Sequence, residues 1–238
     1  MDLLRGTALL LAAGLLGGCA HSPPDEPSDP LEPVNRAVFG LNRAADKYVL
    51  RPVAKGYEAI TPQIAQQGIT NFFENIKEPR NVVNGVLQLK FAQAANDTGR
   101  FLLNTTAGIA GLMDVATMAG LPKHDEDFGQ TLGHYGLGQG WYLMLPLLGP
   151  TTGRDLSGRA ADFATDLNNY VESPESIGVN ALNLIDARVQ FLDADSIIDN
   201  AIDPYIFVRT AYLQQRLGKV FDGSPPAKYM YGDTEADE

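Results

Sequence analysis

Cysteine is almost missing from this chain: its 238 residues contain one, Cys19. An internal disulfide is therefore excluded. Positive charge is scarce too. Eighteen Lys and Arg stand against 29 Asp and Glu, a formal net charge of −11. That balance argues against nucleic acid as a partner and leaves no basic stripe for anionic lipid headgroups. After Cys19 no apolar run reaches the length of a membrane-spanning helix. The catalytic inventory is thin as well. The histidines are His21, His124 and His134. No G-x-S-x-G elbow occurs, and Ser157, in Leu-Ser-Gly-Arg, lacks the first glycine of one. His124-Asp125-Glu126-Asp127 offers ligand types, but adjacent side chains rarely converge on one metal, and the run reads as a solvated acidic loop. Gly136-Leu137-Gly138-Gln139-Gly140 lacks phosphate-loop spacing and reads as turns and close packing. His134, beside Tyr135, has no second residue placed to pair with it and reads as a hydrogen-bonded structural histidine. The expectation is a protein without catalytic residues, metal or cofactor.

What is present begins with the leader. Arg5 precedes an apolar run ending in Leu16-Gly17-Gly18-Cys19. The run has the length of a signal-peptide core, and its end resembles a bacterial lipobox. On that reading residues 1–18 are removed and Cys19 is acylated. An acylated Cys19 would be no nucleophile. Ala20 rather than Asp follows the cysteine, so nothing resembles an inner-membrane retention signal, and the expected destination is the outer membrane, facing the periplasm. Residues 19–33 form a Pro-rich acidic tether after the anchor, and residues 222–238 an acidic tail with little apolar content that reads as disordered.

Between them, over residues 34–221, the helical period dominates. Val34, Val38, Leu41, Ala45 and Tyr48 share a face, and Arg51-Pro52 is expected to end that helix. Thr61-Pro62 reads as a capped helix start, and Glu78-Pro79 as a restart. Residues 91–105 continue the pattern. Leu156, Ala160, Phe163, Leu167 and Tyr170 make a further stripe. Ser173-Pro174 and Asp203-Pro204 open helices over 177–192 and 205–217. The prediction is an all-α single domain of about seven amphipathic helices. Residues 128–154 break the period: glycines at 129, 133, 136, 138 and 140 argue against a stable helix. Residues 141–148 are then apolar apart from the bend at Pro146, a hairpin either within a core or facing lipid.

Apolar residues also exceed what one helix face needs. Phe72-Phe73, Val82-Val83 and residues 141–148 put apolar side chains on more than one face of their element. Either the core is large, or a second apolar partner covers them: lipid, another protein or a ligand.

Several segments together resemble the MlaA (VacJ) family of outer-membrane lipoproteins. They include Asp29-Pro30-Leu31-Glu32 with Asn35-Arg36, Arg51-Pro52-Val53-Ala54, Asn71-Phe72 with Glu78-Pro79 and Asn84, and the block from Arg100 to Gly108. The most specific is Phe128-Gly129-Gln130-Thr131-Leu132-Gly133-His134-Tyr135-Gly136-Leu137-Gly138, followed by Leu145-Pro146, Gly149, Arg154-Asp155 and Asp203-Pro204-Tyr205. Trp141 departs from the proline that relatives usually carry there. The resemblance implies a ring of helices embedded in the inner leaflet of the outer membrane, with an amphipathic channel for phospholipid. It implies partners: a trimeric outer-membrane porin, and a periplasmic lipid-binding carrier of the Mla pathway. The implied task is to keep phospholipid out of the outer leaflet, preserving lipid asymmetry. Expected phospholipid contacts are Trp141, Tyr142, Leu143, Met144, Leu145, Leu147 and Leu148 of the hairpin, with Leu41, Asn42, Phe72 and Phe73 on helices. Asn42, Arg43, Lys47, Arg51 and Lys55 are candidates to line the channel for a headgroup. Two other classes compete: a lipid-anchored adaptor that docks envelope proteins, and an envelope hydrolase, which the missing nucleophile–base pair disfavours.

Overall fold

The computed structural model describes residues 29–167 and 175–226. Cys19, the leader, most of the tether, Tyr170 and Ser173-Pro174 lie outside the described residues.

Helix α1, Glu32–Ala45, carries Pro33 in its first turn, where a missing N–H costs nothing. Arg51-Pro52 does not end the segment. A π turn, Asp46–Leu50, carries the chain into α2, Arg51–Ile60. The wider turn lets the Arg51 N–H reach the Asp46 carbonyl, and Pro52 falls into the first turn of α2. Helix α3, Gln63–Leu87, runs unbroken through Pro79. Proline removes one backbone bond there, but Glu78, Asn81 and Asn84 each make side-chain bonds that keep both halves in line. The chain turns back at Leu89, in the left-handed region at φ 62°, into α4, Phe91–Thr106. The two helices approach closely where Gly85 faces Ala94. Helix α5, Val115–Met118, is capped by Asp114.

Residues 128–134 are helical after all, as α6, Phe128–His134. Glycine lowers intrinsic helix stability, but here it buys contact. A Cβ on Gly158, in α7, Gly153–Asp162, would meet the Gly129 Cα at 2.7 Å. Asp127 caps α6 by accepting from the Gln130 N–H at 2.8 Å. Between α6 and α7 lies a hairpin of β1, Tyr142–Leu145, and β2, Gly149–Thr152, paired antiparallel with Tyr142 opposite Thr152. The stripe starting at Leu156 stays helical only to Asp162. Helix α8, Glu175–Val189, and a short α9, Asp195–Asp199, follow. Helix α10, Pro204–Val220, is capped by Asp203 as its sequence predicts. Among the described residues the fold is mostly helical, with more helices than the seven expected, from the four residues of α5 to the 25 of α3.

Packing closes these elements into a circuit. Helix α3 packs on α6, α6 on α10, α10 on β2, and β1 on α1. The π turn and α2 lead on to α8, which returns to α3.

The polarity of this body is inverted. Among the described residues, buried apolar side chains number nine and buried polar or charged ones eighteen. Helix α3 shows why. Its inward stripe is Asn75, Glu78, Asn81 and Asn84, at helical i, i+3 spacing, while Val83, Val86 and Leu87 face out. Ile60, Ile64, Met118 and Leu147 are each at least three-quarters exposed. An ordinary water-soluble domain places these classes the other way round. Among the described residues one apolar cluster forms, where Tyr142, Met144, Tyr205 and Leu213 meet Val38, Phe39, Val208 and Tyr212.

Candidate functional site

The hairpin is held by two asparagines of α1. Asn35 Nδ2 donates to the Tyr142 carbonyl at 3.0 Å, and its Oδ1 accepts from the Met144 N–H at 2.9 Å. Asn42 repeats the pattern three residues further along the hairpin, with the Leu145 carbonyl at 2.8 Å and the Leu147 N–H at 2.8 Å. A carboxamide carries one acceptor and a donor side by side, as a neighbouring strand would. Seven residues of helix rise about 10.5 Å, and three of strand about 10 Å, so the two spacings match. The helix thus covers the outer edge of β1 and leaves no bare ladder there.

This geometry sorts the hairpin residues into two sets. Tyr142 and Met144 point into the core cluster, so the expectation that they contact lipid fails, because strand alternation turns every second side chain inward. Leu143 and Leu145 are half-buried, and Trp141, Leu147 and Leu148 are exposed. Leu147 sits at the tip with φ 61°. Phe73 is buried too, edge-on against Phe72 with ring centroids 5.5 Å apart, so its side chain serves packing rather than an outer face. Leu41 is exposed and Phe72 half-buried.

The expected headgroup lining is mostly occupied. Asn42 is committed to the hairpin. Arg43 pairs with Asp199 at 2.9 Å. Arg51 pairs with Asp46, Asp195 and Asp199 at 3.5, 3.1 and 2.9 Å, and Arg188 of α8 joins Asp46 and Asp195 at 2.6 Å each. These arginines fasten α1, α2, α8 and α9 together. Lys47 and Lys55 remain exposed.

The run from His124 to Asp127 is only partly a solvated loop, since Asp125 is exposed but all four side chains are paired. His124 Nδ1 lies 2.6 Å from the fully buried Asp97. Asp125 pairs with Arg80 at 2.9 Å and with Lys219. Glu126 is buried, accepting from Gln88, Gln93 and Lys90 at 2.7, 2.8 and 3.1 Å. Asp127 binds Arg216. Each side chain has a charged or amide partner from a different helix, which the local sequence could not disclose. Beneath them Arg100, 2% exposed, joins Glu78 at 2.9 Å, Asp114 at 3.1 Å and the Leu121 carbonyl at 2.7 Å. Burial raises the Glu78 carboxyl, and the bonds from Asn81 and Arg100 only partly offset this. His134 is exposed, its ring edge-on to Tyr135 at 5.2 Å, and no hydrogen bond to that ring occurs among the described residues. It is therefore not the hydrogen-bonded histidine expected. No cluster able to hold a metal occurs among the described residues.

A cavity of about 600 Å³ opens between α3 and α8. Glutamines 63, 66, 67 and 190 line it, with Thr70 and the buried Asp186. Its only sequence signal is the polar Gln66-Gln67 pair at the start of an apolar-periodic helix.

Comparison with known proteins places this arrangement. The family model described as MlaA lipoprotein matches residues 27–219. The chain is 42% identical over 219 residues to the intermembrane phospholipid transport system lipoproteins MlaA of Shigella flexneri and of Escherichia coli K12, covering 89% of this chain and 87% of each relative. The Haemophilus influenzae protein of the same name is 34% identical over 223 residues, covering 90% of this chain and 89% of its own. A solved structure concerned with the maintenance of bacterial outer membrane lipid asymmetry superposes with a TM-score of 0.74 at 41% identity, over 83% of this chain and all of that one. No helix among the described residues is long and apolar enough to cross a membrane. With a match spanning nearly the whole described body, the chain belongs to the MlaA lipoprotein family.

Proposed function

We infer that this chain is an envelope lipoprotein that transports phospholipid between membranes and so maintains the lipid asymmetry of the outer membrane. The observation that carries this reading is the inverted polarity of the fold. Large apolar side chains stand exposed all along a circuit of helices, while most of the side chains buried between those helices are polar. In water such a surface is costly, at roughly 1.5–3 kcal/mol for each large side chain left exposed. Embedded in one leaflet those side chains are matched by acyl chains. Relatives named for intermembrane phospholipid transport support the same task.

In this proposal acylated Cys19 anchors the chain to the outer membrane from the periplasmic side. Phospholipid passes through the ring, a trimeric porin stands beside it, and a periplasmic carrier of the Mla pathway exchanges lipid with it. The chain acts without catalysis. Trp141, Leu147, Leu148 and Leu41 contact lipid, with Leu143, Leu145 and Phe72 at the margin. Native mass spectrometry of the detergent-purified protein tests the reading: bound phospholipid together with a porin is expected. A lipid-free protein carrying only protein partners would favour the adaptor instead. Mass analysis of its amino terminus should find acylated Cys19. A soluble product starting elsewhere would remove the anchor from the proposal.

A further inference from the structure

We propose that the cavity between α3 and α8 receives the primary ammonium of an ethanolamine-type phospholipid headgroup, with Asp186 as its counter-ion. The proposal rests on the phospholipid-transport reading and adds to it a headgroup preference and a place where that preference is exerted.

Asp186 carries the argument. It is 4% exposed and lines a cavity of about 600 Å³. That volume is typical of small-molecule sites and ample for a phosphoethanolamine group. Its carboxylate accepts from Thr70 Oγ1 at 2.9 and 3.1 Å and from Gln190 Nε2 at 3.3 Å, all neutral donors. Among the described residues no Lys, Arg or His lies within ion-pair distance of it. Lys77 acts on it only through space. Other deeply buried acids of the fold, such as Glu78, Glu126 and Asp155, have a cation in contact. A buried carboxylate without one is costly, and burial raises its affinity for a proton accordingly. A bound ammonium would supply the missing charge and donate N–H bonds to it.

The surroundings suit that ligand. The lining contains no cation, so an anionic headgroup would meet a carboxylate with nothing to offset it. Gln66 spends its amide nitrogen on the Thr61 carbonyl at 2.7 Å, which leaves its oxygen as an acceptor. A second polar group lies within the field of Asp186: the Tyr57 hydroxyl is buried without a hydrogen-bond partner among the described residues, on α2, which packs against α8. Ile64 and Val189 at the cavity wall give apolar contact for the glycerol end of a lipid.

The experiment is native mass spectrometry of the full-length detergent-purified protein, titrated separately with phosphatidylethanolamine, phosphatidylcholine and phosphatidylglycerol. The expected result is ethanolamine lipid bound about tenfold more tightly than glycerol lipid, the size of one charge-assisted hydrogen bond. The choline lipid, which has the charge but no N–H, should fall between. Asp186→Asn keeps the shape and should abolish the preference while lipid still binds. Equal affinity of the native protein for all three lipids would overturn the proposal and leave phospholipid transport standing. Failure to bind any lipid would overturn both. If Asp186→Asn does not fold, the lipid series on the native protein decides alone. Glycerophosphoethanolamine, which has the headgroup without acyl chains, should compete weakly. Binding it as tightly as the lipid would overturn the assignment to a membrane lipid in favour of a soluble amine.

Discussion

Arg216, near the end of α10, grips both carboxylate oxygens of Asp127, the cap of α6, at 2.5 and 2.8 Å, and touches Asp155 of α7 at 2.9 Å. One guanidinium thus joins three helices, and the fork geometry explains why arginine occupies the position. Arg216→Leu should destabilise the protein by about 3–5 kcal/mol, since Asp127 loses its cation and the buried Asp155 keeps only Arg154. Arg216→Lys should recover only part, because an ammonium cannot make the bidentate contact. Thermal melts in detergent would read this, and a lysine variant as stable as the native protein would contradict it.

The same pair predicts an acid response. Burial works to raise the Asp127 carboxyl, but hydrogen bonds and charge from Arg216, with help from Gln130, outweigh it and hold the group below the ordinary carboxylate range. Asp155 is lowered too, against its burial, by the charge of Arg154 first and then by Arg216 and a bond from Tyr212. A carboxyl with a depressed folded value stabilises the fold above its unfolded value, about pH 4, and loses that contribution as the pH falls further. The stability gap between native protein and Asp127→Asn should therefore be widest above about pH 5 and narrow steadily as the pH falls below the unfolded value of about 4. Melts at half-unit intervals would test it, and a constant gap would count against the assignment.

Gly158→Ala should be among the most damaging of conservative substitutions. Its methyl would press on the backbone of α6 at Gly129, which cannot yield as a flexible side chain can. A loss of about 1–3 kcal/mol or more is expected from such overpacking. Gly178→Ala, where a methyl meets open space, is the control and should leave the melting temperature unchanged or raised.

Photo-crosslinkers along the hairpin should divide by register. At Leu147 or Trp141 they should capture phospholipid in cells, and at Tyr142 or Met144 only segments of the same chain, chiefly α1 and α10. Phospholipid captured at Met144 would mean the hairpin opens away from Asn35. Failure to capture any at Leu147 would move the lipid contact to the helix faces around Leu41.

Helices with strong local signals were legible in the sequence: Asp203-Pro204 marks the start of α10, and the Val34 to Leu41 period marks α1. Pro79 and Gly129 misled for one reason. Both lower intrinsic helix stability, and both sit where tertiary contacts decide. The polar stripe from Asn75 to Asn84 was in plain view, but an i, i+3 row of Asn and Glu ordinarily means a wet face. Only its partners, Arg100, Thr131 and Asp162, reveal that it points inward. The hairpin site was half legible. Its apolar length was visible, while the division between Tyr142 and Leu147 depends on a register that Asn35 and Asn42 impose from over a hundred residues away.

The buried stripe of α3 also bears on how the protein responds to heat. Exposing apolar surface raises the heat capacity of unfolding, and exposing polar surface lowers it. A body that hides carboxamides and ion pairs while its aliphatic side chains already face outward gains little heat capacity on opening. Its stability curve should accordingly be flat for a chain of this length, with a gentle maximum and little tendency to unfold in the cold.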